Sequence, residues 1–359
     1  MDKNSQFTAA IHKRLDKIAS KLPEGAPLQV LLYSPKNALD SNYSNVGDDR
    51  PYHIASIGKM FTATVIGMLQ DKKLLSIDDT INKYLTKDVL SGLFVFEGVN
   101  YQDQVTIRQL LGHTSGAADY FENSAKTGPS FQEIIMNNPD KKWTPTSLID
   151  FTRQNQSAVG APGTTFNYSD TGYLLLGLII EKITQKTLDV VLEEFIFKPL
   201  KMDDSYLLFY GQPSNPVRDI APMYINGMNV TGTNILTGDW AGGGIVSTVR
   251  DLVKFQQAFW QEKLVSKNYI QQMADAKSKF RAGMYYGLGM TEMRFEGFFF
   301  LLRGLPRPKG HTGVVGTHMY YDQEHDLHII MNFGSTELMR KSVQTFIVIE
   351  QLAKKYLSN

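Results

Sequence analysis

Ser56-Ile57-Gly58-Lys59 puts a hydroxyl and an amine three residues apart, just ahead of the apolar stretch Met60-Phe61-Thr62-Ala63-Thr64-Val65-Ile66-Gly67-Met68-Leu69. That stretch is long enough for several helical turns, so Ser56 is expected at or near a helix start. Residues i and i+3 share a helix face, which sets Lys59 beside the Ser56 oxygen. The positive end of the helix dipole and its unpaired N–H groups then lie where an oxyanion would develop. Taken alone, the S-x-x-K pattern arises by chance roughly once or twice in a chain this long, and Ser56 begins the one match here. A helix N-cap serine followed by a solvated lysine explains the tetrad as well.

Two further motifs follow in order. Tyr168-Ser169-Asp170 stands 112 residues after Ser56 (168 − 56), just before an apolar helical pattern, and His311-Thr312-Gly313 stands 143 residues after Tyr168 (311 − 168), where a Pro/Gly-rich turn runs into a strand pattern. In isolation the first reads as a helix N-cap and the second as a turn leading into a strand. What favours chemistry is the ordered trio together with its flanks: Gly112-His113-Thr114-Ser115-Gly116, Pro162-Gly163, and Ala241-Gly242-Gly243-Gly244 leading into Ile245 and Val246.

With these motifs the chain resembles the penicillin-recognising serine hydrolases, in particular the branch holding class C β-lactamases, D-Ala-D-Ala carboxypeptidases, D-aminopeptidases and related esterases. The resemblance runs from about residue 28 to 335. It implies a β-lactamase/transpeptidase-like α/β fold and an acyl-enzyme mechanism on an ester or amide. Ser56 would be the nucleophile, Lys59 and Tyr168 the proton-transfer pair, and the backbone N–H groups of Ser56 and Val314 the oxyanion hole. His311, Thr312 and Gly313 would form the strand edge facing the substrate. No cofactor is implied, and the partner is a small-molecule or peptide substrate.

Two departures from the family pattern shift this reading. Asp170 stands where asparagine is common, and a carboxylate near Lys59 favours its ammonium form; Tyr168 is then expected to take over as proton acceptor. His311 replaces a lysine that would offer a permanent charge to a substrate carboxylate, whereas histidine is mostly neutral above a pKa of roughly 6.5. The second departure points toward an esterase or a D-amino-acid peptidase type, with β-lactamase activity secondary. The alternative is a penicillin-binding or sensor-like module with little turnover. Tyr120 and Trp240, in loops expected near the cleft, are minor candidates for substrate contact, while Phe298, Phe299 and Phe300 read as core.

Composition bounds the other classes. Lys+Arg 37 against Asp+Glu 36 leaves a charge of +1, with no basic cluster interleaved with aromatics, so nucleic acid is not an expected partner. Without cysteine there is no disulfide, thiol nucleophile or cysteine metal site. His53 to Met60 lacks the first glycine and the final hydroxyl of a P-loop. His318, His325 and His328 invite a metal, but 325 and 328 fall on opposite faces of a strand and no acidic ligand at metal-site spacing accompanies them, so none is expected. His113 reads as a structural hydrogen-bonding residue. No apolar signal-peptide core or membrane-length run is present. The expectation is a soluble protein, cytoplasmic as given, or exported if a signal peptide has been removed.

Periodicity gives the organisation. Phe7, Ile11, Leu15 and Ile18 mark a helix, Leu28 to Tyr33 a strand with a partner around Ser41 to Val46, and Asp170 to Gln185 a helix. Ser76 to Asp79 and Thr106 to Leu111 read as openings of helices. Strand patterns return at Tyr285 to Arg294, Phe298 to Arg303, Gly313 to Tyr321 and Leu327 to Phe333, before a closing amphipathic helix from about Glu337 to Tyr356. These imply an antiparallel sheet flanked by helices. One lobe would comprise 1–75 and 241–359 and a helical lobe 76–240, with the active site between them.

Overall fold

Helix α1 (Lys3–Ala19) forms where Phe7, Ile11, Leu15 and Ile18 recur on one face, and all four are buried. Asp2 caps it by accepting the Ser5 N–H. The computed structural model describes residues 2–47 and 49–358. Strands β1 (Gln29–Ser34) and β2 (Leu39–Ser44) form the hairpin that follows. Helix α2 (Gly58–Asp71) carries Lys59, α3 (Asp170–Thr184) follows the Tyr168 motif, and α4 (Val249–Trp260) underlies the sheet. Then come β3 (Ser278–Arg281), β4 (Met284–Tyr286), β5 (Thr291–Met293), β6 (Lys309–Gly313), β7 (Thr317–Asp322) and β8 (Leu327–Asn332). Helix α5 (Met339–Tyr356) closes the described chain.

The sheet runs β3-β4-β5-β6-β7-β8-β1-β2, antiparallel throughout, so strands from both ends of the sequence share one sheet. The join is β1 against β8, with Gln29 opposite Asn332; the Asn332 amide donates to the Gln29 side chain at 2.8 Å. Side-chain alternation sends the two faces into different cores. Val30, Leu32, Tyr320, Ile329 and Met331 pack with Phe7 and Ile11 of α1 and Phe346 and Ile349 of α5. Leu31, Met319 and Ile330 point the other way, into the larger core that holds Phe61 of α2 and Phe255 and Phe259 of α4. Each large apolar side chain buried this way contributes about 1.5–3 kcal/mol, so α2 is fixed to the sheet through many such contacts.

Several boundaries differ from the sequence reading. Phe298 to Arg303 is not a strand: it follows the 3₁₀ turn Phe295–Gly297 and contains a second, Phe300–Leu302. Phe299 and Phe300 are exposed rather than core, at 52% and 72%. A continuous apolar run lacks the alternation that would assign one face inward, and here it lies on the surface. The Ser76–Asp79 segment is a turn ahead of the 3₁₀ turn Ile81–Lys83, its N–H of Ser76 taken by the Asp79 carboxylate. Gly313 to Tyr321 divides into the end of β6, a turn, and β7. Among the described residues no helix is long and apolar enough to cross a membrane.

Candidate active site

Ser56 lies in the 3₁₀ turn Ala55–Ile57 that runs directly into α2, so Lys59 sits one turn further on with its amine 3.4 Å from the Ser56 hydroxyl. The residue before Ser56, Ala55, has φ 51°, a left-handed conformation costing about 1–2 kcal/mol for a non-glycine residue. Neighbours hold it there. The Ala55 N–H donates to His53 Nδ1 at 3.2 Å, and the Ile54 carbonyl accepts from the Thr317 hydroxyl at 3.0 Å. A Cβ on Gly313 would lie 2.7 Å from the Ala55 Cβ, so β6 reaches the Ser56 turn because residue 313 has no side chain. Val314, the next residue, lines the same cavity as Ser56.

Lys59 is fully buried, and its amine has three oxygen partners: the Asp170 carboxylate in a short ion pair, the Gly242 carbonyl at 2.9 Å, and Ser56. Burial opposes its charge, but Asp170 and Tyr168 outweigh that and hold the ammonium pKa above its usual value. The Gly242 approach depends on an absent side chain, since a Cβ there would sit 2.5 Å from Asp170 Oδ1. The Lys59 amine lies 4.8 Å from the centre of the Tyr168 ring, and Tyr168 borders the same cavity as Ser56. Burial raises the phenol above its usual pKa although Lys59 pulls the other way. The resting phenol therefore carries its proton.

The Tyr168 ring is clamped by stacking on Phe280 at 4.8 Å and by His113 at 4.3 Å. His113 also accepts the Ser169 N–H at 3.0 Å through Nδ1. Ser169, the N-cap of α3, donates to Ala118 C=O and accepts the Gly172 N–H. The cap thus sets where Asp170 emerges, and the Asp170 N–H is anchored on the Asp119 carboxylate at 2.8 Å. Asp119 is wholly buried, and burial together with Asp170 raises its pKa well above the carboxylate range.

A cavity of about 320 Å³ opens on this group. Ser56, Tyr168, Asp170 and Val314 border it together with Asp239 and Glu122, and its remaining walls include Phe121, Ile135, Met136, Met223 and Leu236. No lysine or arginine is among the lining residues. Asp239 is pushed up to about 7, chiefly by burial and then by Asp170, with Lys59 opposing. His53 faces it, Nε2 lying 3.5 Å from Asp239 Oδ2. Because His53 Nδ1 accepts the Ala55 N–H, the ring proton resides on Nε2, toward Asp239.

The other residues singled out in the sequence lie elsewhere. His311 is buried behind the cavity, with Nε2 3.1 Å from the Tyr286 hydroxyl; burial and then Lys59 lower its pKa to about 3. Thr312 is turned into the sheet, on His318 at 3.1 Å and Tyr320 at 3.0 Å. Tyr120 is core, its hydroxyl donating to Gly238 C=O, and Trp240 is core against Gly177. Neither lines the cavity.

The Beta-lactamase family model matches residues 34–353. The chain belongs to the beta-lactamase family. Among relatives of this beta-lactamase-family chain, Penicillin-binding protein 4* of Bacillus subtilis (strain 168) is 29% identical over 246 residues, 63% of the chain. The match covers 49% of that protein, so the chain spans about half the length of this relative. Among solved structures, the D-amino acid amidase from Ochrobactrum anthropi SV3 complexed with L-phenylalanine has a TM-score of 0.77 at 25% identity, covering 98% of this chain and 99% of that one. EstCE1, a hydrolase with promiscuous acyltransferase activity, shares the fold with a TM-score of 0.75 at 16% identity, over 97% and 98% of the two chains.

Sequence reasoning missed His53, Asp119, Asp239 and the Gly242 carbonyl of this beta-lactamase-family site. The glycine run 242–244 stood out, yet what it admits, a carbonyl against Lys59, is a contact 183 residues apart in sequence. The metal expectation also needs correcting on one point: acidic residues do accompany His325, since Asp322 touches its ring and Glu350 lies beside both.

Proposed function

We propose that this chain is a serine hydrolase that cleaves an ester or amide through an acyl-enzyme, with Ser56, Lys59 and Tyr168 as its catalytic residues. The observation that carries it is the convergence of Ser56, a buried ammonium and a half-buried phenol at one cavity, with the β6 edge against the Ser56 turn. Ser56 Oγ attacks the carbonyl carbon. Its proton passes to the Tyr168 oxygen as the Tyr168 proton passes to the leaving nitrogen or oxygen, the scissile bond breaks, and Lys59 offsets the charge developing on the phenol. The N–H groups of Ser56 and Val314 hold the oxyanion. Water then takes the leaving group's place and the proton transfers run in reverse. A phenol that both accepts and donates needs no resting tyrosinate, in keeping with the raised Tyr168 pKa.

The substrate class follows from the walls. Apolar residues with the carboxylates of Asp239, Asp170 and Glu122 suit an acyl group that is apolar and carries an amine, as in an amino-acid amide or ester. No lysine or arginine lines the cavity to receive a substrate carboxylate, His311 is neutral and buried, and Arg281 is already paired with Glu122. The amidase likeness supports the same class. We take the lobes as 1–75 with 241–359, and 76–240, the cavity lying where they meet.

Intact-mass measurement and turnover with a fluorophosphonate, a p-nitrophenyl ester, a penicillin and both enantiomers of phenylalanine amide test this. Adducts and turnover that depend on Ser56 are expected, with Ser56→Ala lowering rates by roughly 10⁴–10⁶-fold. No adduct and no turnover with any probe would overturn the proposal, and a stable penicillin adduct without turnover would replace it with a penicillin-binding or sensor-like module.

A further inference from the structure

Away from the cavity, Asp322, His325 and Glu350 meet in the interior, exposed by 1%, 2% and 0%. Asp322 ends β7, His325 lies in the β7–β8 turn, and Glu350 projects from α5, so the cluster joins the sheet to the last helix. Asp322 Oδ1 accepts the N–H groups of Glu324 at 2.8 Å and His325 at 3.4 Å, and its other oxygen touches His325 Nδ1. His325 Nε2 is 3.0 Å from the Ser358 hydroxyl. Neither oxygen of Glu350 has a hydrogen-bond partner. Its neighbour is the Asp322 carboxylate, which repels it when both are ionised. No lysine or arginine is paired with either acid among the described residues.

Two buried carboxylates meet at one imidazole with no lysine or arginine paired to either, and an isolated buried carboxylate is among the costliest groups a fold can hold. We propose that Asp322, His325 and Glu350 bind a divalent first-row metal ion, best matched by zinc, that staples the β7–β8 turn to α5. One ligand atom from each residue lies within 4.8 Å of the others. Zinc bonds of about 2.0–2.2 Å to nitrogen and oxygen bring such atoms inside that span. A dication neutralises the pair of acids and gives Glu350 the partner it lacks. The imidazole argues against magnesium or calcium, which take oxygen ligands. Ser358 supplies the outer contact: its hydroxyl can accept the His325 Nε2–H, which frees Nδ1 to ligate once a metal displaces the Nδ1–Asp322 hydrogen bond.

The test uses the full chain, stripped with chelator and then equilibrated by dialysis against Zn²⁺, with bound metal counted by mass spectrometry. One zinc per chain is expected in the wild type and in Asp239→Asn, which alters the cavity acids instead. At free zinc near the wild-type Kd, where the wild type is half-occupied, Glu350→Gln and His325→Asn should hold about a fifth of the wild-type zinc or less, since losing an anchoring ligand weakens binding at least tenfold. Zinc at a hundredfold excess over its Kd should raise the wild-type Tm by roughly 3–5 °C. If either variant fails to fold, Co²⁺ added to the stripped wild type should give visible absorption bands that one equivalent of Zn²⁺ abolishes. No zinc uptake by the wild type, or equal uptake by folded Glu350→Gln, would overturn the proposal in favour of acids that share a proton.

Discussion

Two buried ionic clusters in this molecule solve the same electrostatic problem differently. At the cavity, Asp170 and the nearby Asp119 and Asp239 surround Lys59, so the chain supplies its own cation. Under α5, Asp322 and Glu350 surround only an imidazole. The first arrangement locks a proton onto Lys59 and places the ammonium against Ser56 and Tyr168. The second leaves a deficit that protons or a metal ion must make up. Burial is common to both; the identity of the fixed cation separates a reaction centre from a candidate staple.

The largest effect should come from removing that cation. Lys59→Met strands the Asp170 carboxylate, and breaking a buried pair from one side costs about 3–5 kcal/mol. Ester turnover should fall by at least roughly 10²–10⁴-fold, the scale of a lost proton-transfer partner. The double variant Lys59→Met with Asp170→Leu should recover most of the stability and none of the activity. Urea unfolding and p-nitrophenyl ester hydrolysis measure the two quantities. Equal urea midpoints for wild type and Lys59→Met would show that the pair carries no such charge.

How much of this was legible in the sequence depended on distance along the chain. The α1 face and β8 were readable because their periodicities are local, and Ser56 with Lys59 because three residues fix their geometry on a helix. Tyr168 and Asp170 could be placed through resemblance, and the short Lys59–Asp170 contact matches the expectation built on the Asp-for-Asn departure. Asp239 and His53 gave no signal, since nothing in either neighbourhood says that the turn at 239 folds against residue 53. Tyr120 and Trp240 were placed near the cleft by their loops, yet large aromatic side chains in those loops pack inward. His325 was set aside by strand parity, which does not apply to a turn; its acidic neighbours are three residues back and, on a helix, 25 residues ahead.

A smaller effect, and one that sharpens the cavity side of the comparison, is the titration of Asp239. Its pKa of about 7 in the folded chain exceeds the ordinary value of roughly 3.9. The folded state therefore holds a proton that the unfolded chain releases in between. The stabilisation this provides is full below about pH 4 and lost as pH rises through 7. For an amine-bearing amide, kcat/KM should rise roughly 25-fold from pH 5.5 to 7.5 as the carboxylate appears, matching one group titrating near 7. Asp239→Asn should flatten that rise and leave an uncharged ester's profile nearly unchanged. An identical rise for both substrates would assign it to Tyr168 and Lys59 instead.

The smallest effect tests the other cluster and should have the opposite sign to Lys59→Met. In chelator-treated protein, Glu350→Gln removes the unpartnered carboxylate that Asp322 repels and supplies an amide that can donate to Asp322. Replacing a buried charge that lacks a counter-ion by a neutral isostere should be neutral or stabilise by about 1 kcal/mol. Urea midpoints of wild type and variant, measured without metal at pH 8, report this directly; high pH keeps the acids under the greatest pressure to ionise. A loss of several kcal/mol would mean that Glu350 already has a cationic partner and that this cluster, like the one at Lys59, is internally balanced.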